Sequence, residues 1–160
     1  MLGLEMRRPP LSEAIETAKG YLNRFGLGGF ENAYPRTLSG GMRQRVALIR
    51  TLIIDPDILL LDEPFSALDY QTRLYLEGVL MEAVQTFRKT VVLVTHDIDE
   101  AVALSKRVIV LSGRPSKVKN TYDIDIEASS PIAARGHAQF TEYFHALCGE
   151  LDIQTKVKAA

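Results

Sequence analysis

An α/β fold with a largely parallel sheet is the class this sequence predicts, and three observations predict it. "ILLLDE" at 58–63, an apolar run capped by two acids, and "TVVLVTHD" at 90–97 have the pattern of strands buried on both faces. A third such run, "RVIVL", follows at 107–111. Helix-length stretches lie between the runs, so strand and helix alternate as they do where crossover helices join parallel strands.

Taken in order, "PPLSEAIETAKGYLNRFGLGG" predicts a first helix, with Pro9 and Pro10 ahead of it and Ser12 as its N-cap. Glu13 and Glu16 suit the positive end of its dipole, and Gly26 before Leu27 is its stop. A second helix runs from Gly40 to Ile54, where Met42, Val46, Ile49 and Ile53 recur at helical spacing and Asp55-Pro56 ends it. After the first strand, residues 70–88 form a third helix. "DIDEAVALS" starts a fourth, with Asp97 followed three residues later by Glu100 in the manner of a capping box. Beyond Gly113 the pattern weakens to an edge strand in "KVKNTYDIDI" and a terminal helix over about 133–151.

Composition narrows the function classes. A chain of 160 residues with 46% hydrophobic and 24% charged residues suits one domain with a core. The formal net charge of −1 supplies no basic field for nucleic acid. The one cysteine, Cys148, forms no internal disulfide. "VALIRTLII" is broken by Arg50, and no apolar run approaches the ~18 residues of a membrane span. The expectation is therefore a soluble chain whose link to a membrane comes through a partner. His137, His145 and Cys148 lack ligand spacing and read as structural.

Chemistry is expected where parallel strands end, because ligands of open α/β sheets collect at carboxyl edges. Asp62 and Glu63 follow "ILLL", and Thr95 and His96 follow "VVLV". As carboxylates, Asp62 could hold Mg²⁺ and Glu63 could orient and deprotonate a water, while His96 could donate to a phosphate oxygen. The other reading of the same residues is that strand-end acids cap the next turn and His96 is a loop histidine. "LSGG" at 38–41 has its own alternatives. Its helix start can receive an anion on free N–H groups that glycine leaves uncovered, or Ser39 is a plain N-cap beside a flexible loop.

In order along the chain, "LSGGMRQR", "LLLDEP", "SALD" and "VTHD" resemble the motifs of the ATPase subunit of ABC transporters. Ser39 to Asp62 spans 23 residues and Glu63 to His96 spans 33, both ordinary for that family. The likeness covers about residues 1–115, and "LDEPFSALD" with "SGRPSKV" is most similar to the importers of nitrate, sulfonate and taurine. The resemblance implies that Leu38, Ser39, Gly40, Gly41, Met42 and Gln44 are the signature motif, presented to ATP held mainly by a second, head-to-tail subunit. It implies that Asp62 is the Mg²⁺ side of the Walker B pair and Glu63 its catalytic partner. Ser66, Ala67, Leu68 and Asp69 form the D-loop, and His96 is the switch histidine. ATP and Mg²⁺ are the implied cofactors. Permease subunits are the implied membrane partners, a solute-binding protein an indirect one, and nucleic acid none. The implied location is the cytoplasmic side of the membrane, peripheral through the permease.

The family also uses a Walker A loop, G-x-x-x-x-G-K-[ST], to cradle phosphates, and these 160 residues contain no such pattern. The expectation is thus a truncated P-loop NTPase-type core, the carboxyl-terminal part of an ABC ATPase without its Walker A and Q-loop regions. Residues 1–54 would be part of the helical subdomain with the signature helix, 55–115 the catalytic core, and 116–160 a strand and helix extension. Such a chain would expose an apolar sheet face and would not hydrolyse ATP alone. Two other functions remain open: a non-catalytic fragment supplying the signature in trans, and a soluble ABC ATPase working on DNA or ribosomes.

Overall fold

The computed structural model describes residues 10–151, which divide after Val94 into two compact units. The first holds α1 (Leu11–Arg24), a 3-10 turn (Pro35–Thr37), α2 (Gly40–Leu52), β1 (Ile58–Asp62), α3 (Tyr70–Phe87) and β2 (Thr90–Val94). The second holds α4 (Ile98–Leu104), β3 (Arg107–Leu111), β4 (Val118–Asp123), α5 (Pro131–Arg135) and α6 (Ala138–Glu150).

In the first unit α1 starts earlier than expected. Pro10 is its N-cap, its carbonyl accepting from Ala14 N–H at 3.0 Å, and Ser12 lies inside the first turn. Proline has no N–H to leave unpaired and its ring already restricts φ, so the chain enters the helix there without a serine cap. Pro9 lies outside the described residues. The stop is as expected: Gly26 takes φ +66°, and Leu27 N–H reaches back to Leu22 O at 2.8 Å.

Helix α2 buries Leu48, Ile49 and Leu52, not the full stripe of Met42, Val46, Ile49 and Ile53. The neighbouring stripe passes through the same Ile49, and packing chose between them. Arg45 and Gln44 reach from the helix to fixed carbonyls, Arg45 to Phe25 O at 3.0 Å and Gln44 to Glu63 O at 2.8 Å. These anchors set the rotation of the helix and leave Met42 and Val46 half-buried.

Strands β1 and β2 pair in parallel, from Ile58 opposite Thr90 to Asp62 opposite Val94. Burial alternates along β1: Leu59 and Leu61 are buried, whereas Ile58 is 59% and Leu60 73% exposed. On β2, Val92 and Val94 are exposed as well. The expectation of strands buried on both faces is therefore corrected. Side chains alternate across a strand, and the described residues cover only one face of this ladder. The expected exposure of an apolar sheet face is present.

The second unit pairs β3 with β4 in antiparallel fashion, Arg107 opposite Asp123, with an irregularity at Val110/Leu111. The third apolar run thus joins the edge strand, not the parallel ladder, among the described residues. Val102, Ala103, Val110, Ile124, Ala134, Phe140 and Leu147 form its core. The terminal helix is two pieces. Helix α5 starts on Ser130, whose hydroxyl accepts from Ala133 N–H, and ends at Gly136. His137 then caps α6 through Nδ1, accepting from Gln139 N–H at 3.3 Å. Two N-cap residues in succession divide a stretch whose apolar spacing is continuous. No described helix is long and apolar enough to cross a membrane.

Candidate functional site

The site residues of the first unit sit on two elements, the start of α2 and the turn leaving β1. Ser39 is the N-cap of α2, its hydroxyl accepting from Met42 N–H at 3.2 Å. That bond occupies one of the orphan donors of the first turn, while the hydroxyl itself stays exposed. The two glycines differ. A Cβ on Gly40 would meet open space, whereas one on Gly41 would lie 3.1 Å from Leu68 Cδ2 and 3.4 Å from Ala67 O. Gly40 leaves the helix start uncovered, and Gly41 lets the helix approach the residues after β1. Leu38 is buried and anchors the segment, with its carbonyl accepting from Arg43 Nη1 at 2.6 Å.

At the other element Asp62 closes β1 and Glu63 opens the turn, both exposed. Glu63 N–H continues the ladder by donating to Val94 O at 2.8 Å. Its backbone then turns to φ 45°, a left-handed conformation that side-chain-bearing residues seldom hold without support. The support is visible. Glu63 O accepts from Gln44 Nε2 at 2.8 Å, Ser66 Oγ at 3.1 Å and Ser66 N–H at 3.3 Å. Gln44 Oε1 in turn accepts from Ala67 N–H at 3.0 Å. Asp69 closes the segment as N-cap of α3, accepting from Thr72 N–H at 3.0 Å. The Thr72 side chain and backbone hold the Asp69 carboxyl below its ordinary value.

The first unit therefore brings together Leu38, Ser39, Gly40, Gly41, Met42, Gln44, Glu63, Ser66, Ala67 and Leu68, with Asp62 and Asp69 at the ends of the turn. His96 belongs to the second unit and is exposed. Beside it is a network that residue spacing did not announce: Thr95 Oγ1 donates to Glu100 Oε2 at 2.7 Å and accepts from Asp97 N–H at 3.0 Å. Asp97 caps Glu100 N–H at 3.2 Å, as a capping box would. Thr95 takes the reciprocal position, satisfying Asp97 N–H and binding the Glu100 carboxylate, which is 3% exposed. The signal was a buried glutamate after a threonine, which needs three-dimensional burial to be read.

As a cation site the turn offers Asp62 and Glu63 side by side in sequence and exposed, both hard oxygen donors. No group of three or more His, Cys, Asp and Glu side chains gathers among the described residues. That set fits Mg²⁺, which binds through one or two carboxylates and completes its shell with water and substrate phosphate.

Residues 4–66 match the family of ABC transporters. The chain is 51% identical over 141 residues to an uncharacterized ABC transporter ATP-binding protein of Methanocaldococcus jannaschii, covering 88% of this chain and 52% of that one. It is 44% identical over 124 residues to a nitrate import ATP-binding protein of Synechocystis, covering 78% and 47%. It is 50% identical over 110 residues to an aliphatic sulfonates import ATP-binding protein of Paracoccus denitrificans, covering 69% and 44%. The chain thus spans about half the length of the curated relatives it matches. Among solved structures, a dimeric ATP-binding cassette in a post-hydrolysis state, bound to ADP and Pi, aligns at TM-score 0.67 and 34% identity, over 74% of this chain and 50% of that one. Over residues 4–66 the chain is thus similar to the ABC transporter family, and its α/β fold is that of part of an ABC ATPase cassette.

Proposed function

We propose that this chain is the signature-bearing part of an ATP-hydrolysing subunit that energises import of a small anion or organic solute of the nitrate or sulfonate kind. The observation that carries the reading is the joined pair of features in the first unit. An uncovered, serine-capped helix start and a strand-end acid pair are hydrogen-bonded into one body through Gln44. The names of the nitrate and sulfonate relatives support the solute class.

In this reading the exposed Ser39 hydroxyl and the N–H groups at Gly40 and Gly41 receive the terminal phosphate of ATP held by a second subunit. The dimeric form of the ADP-bound cassette supports that arrangement. Asp62 would hold Mg²⁺, which supplies charge neutralisation for the phosphate oxygens. Glu63 orients the attacking water and takes its proton, and His96 donates to a phosphate oxygen. Ser66, Ala67, Leu68 and Asp69 form the turn that follows the acid pair. Permease subunits at the cytoplasmic side of the membrane, fed by a solute-binding protein, complete the assembly.

The 160 residues hold no loop of the G-x-x-x-x-G-K-[ST] pattern, so alone they are expected to release no phosphate. Phosphoryl transfer depends on positioning, and an oriented water needs a fixed phosphate to attack. The test uses a hybrid cassette in which this chain replaces the matching half of the Methanocaldococcus relative. Glu63→Gln should preserve ATP binding and cut phosphate release by roughly 10²-fold, the scale of a lost general base. Release within about twofold of the parent hybrid rejects the role of Glu63.

A further inference from the structure

The resemblance counts Gln44 in the signature segment, yet its side chain is bonded to the turn after β1. Its amide is spent inside its own unit: Nε2 on Glu63 O at 2.8 Å and on Ser66 Oγ at 3.4 Å, Oε1 on Ala67 N–H at 3.0 Å. We propose that Gln44 is a positioning residue that locks the left-handed turn at Glu63 to the helix whose start carries Ser39, so that the acid and the helix start move as one piece.

Three features argue for this. First, the amide spans the turn with a donor and an acceptor at its two ends, and both ends are used. A primary amide carries donor and acceptor on one planar group, so Nε2 donates to the Glu63 carbonyl while Oε1 accepts from the Ala67 amide. Second, the residue so held is under backbone strain. Glu63 at φ 45° is a conformation that persists where neighbours over-determine it, and its carbonyl has three donors. Its N–H is meanwhile pinned to Val94 O, so both peptide groups flanking its side chain are fixed. Third, Gly41 allows the backbone of α2 to sit within van der Waals reach of Leu68 and Ala67 O. One helical turn thus meets the turn after β1 by close packing at Gly41 and by hydrogen bonds at Gln44. A displacement at the helix start has no slack through which to dissipate before it reaches Glu63. The functional part of the inference rests on the hydrolytic reading above, whereas the clamp itself does not.

The experiment is backbone amide spectroscopy and hydrogen exchange on the 160-residue protein and two variants. Gln44→Met keeps the volume and removes both polar ends. Gln44→Glu keeps the acceptor for Ala67 N–H and sets an oxygen against the Glu63 carbonyl. In Gln44→Met the Ala67 amide should exchange about 5-fold faster or more, the change expected for one lost hydrogen bond, with resonance shifts at Glu63 and Ser66. In Gln44→Glu, Ala67 protection should stay within about twofold of the parent while Glu63 and Ser66 still shift. This split is one that general loosening of the helix would not produce. Unchanged Ala67 exchange in Gln44→Met overturns the clamp. So does a Gln44→Glu variant whose Ala67 and Glu63 respond together as in Gln44→Met; this second variant also serves if the methionine variant fails to fold. Placed in the hybrid cassette, Gln44→Met should lower kcat at unchanged KM for ATP. A confirmed clamp beside a fully active Glu63→Gln would retain Gln44 as a structural tie and discard the catalytic reading of the turn.

Discussion

Gly40 and Gly41 stand next to each other in sequence and answer to different physics. Alanine at 40 meets nothing and removes the backbone freedom of a glycine near a helix start, so Gly40→Ala should stabilise the fold by about 0.5 kcal/mol or more in thermal melts. In the hybrid cassette the same methyl should hinder the approach of a phosphate and reduce turnover. Valine at 41 drives a branched side chain into Leu68 and Ala67 O, and Gly41→Val should cost roughly 1–3 kcal/mol, the scale of overpacking. Equal effects at the two positions would mean that only helix propensity is at work. Ser39 provides a separate check on the phosphate reading. Ser39→Arg should leave ATP binding to a separated hybrid subunit nearly unchanged and abolish the ATP-dependent dimer, measured by sedimentation. Parallel loss of both would assign Ser39 to the nucleotide of its own subunit.

At the scale of elements, the end of α6 is fastened to β4 by the Glu150 carboxylate. Oε1 accepts from Asn120 Nδ2 at 2.7 Å and from Tyr122 OH at 2.9 Å, and Lys119 Nζ lies 3.6 Å from Oε2. Hydrogen bonds from Asn120 and Tyr122, with the Lys119 charge, favour the ionised form and lower the Glu150 pKa below its ordinary 4.5. A depressed folded value means that the carboxylate contributes stability above the unfolded value and loses it as pH falls through the folded one. Acidification through that window should therefore release the end of α6 from β4, seen as a change in Tyr122 resonances. Glu150→Gln should remove most of the pH dependence, and a Tyr122 titration that is identical in the variant would show that another group is responsible.

On the scale of the whole molecule, the parallel ladder presents Ile58, Leu60, Val92 and Val94 on a face that the described residues leave open. Contiguous apolar surface of this kind binds hydrophobic dyes. The protein should accordingly enhance ANS fluorescence while retaining a cooperative melt. A Leu60→Thr, Val92→Thr double variant should weaken the enhancement without lowering the melting temperature by more than a few degrees. Strong residual dye binding in the double variant would place the accessible apolar surface elsewhere.

Some of this was determined by sequence alone. Order and type of the elements, the ordered motifs around Ser39, Asp62, Glu63 and His96, and the caps at Ser39 and Asp97 follow from local rules: periodicity, capping chemistry and chain order. Such rules act within a turn or two of helix and need no partner. What only tertiary structure decided depended on distant contacts. The buried stripe of α2 was chosen by Arg45 and Gln44 finding carbonyls about twenty residues away. That the open face is the one carrying Ile58 and Leu60 is a matter of which layers cover the ladder, which an apolar run does not encode. The break before α6 turned on His137 acting as a cap, and the left-handed Glu63 on three donors converging on one carbonyl. Gln44 shows the division most clearly. The resemblance placed it in a segment offered to a phosphate, and the fold spent its amide on its own chain, where the Glu63 carbonyl and the Ala67 N–H give partners to both of its ends.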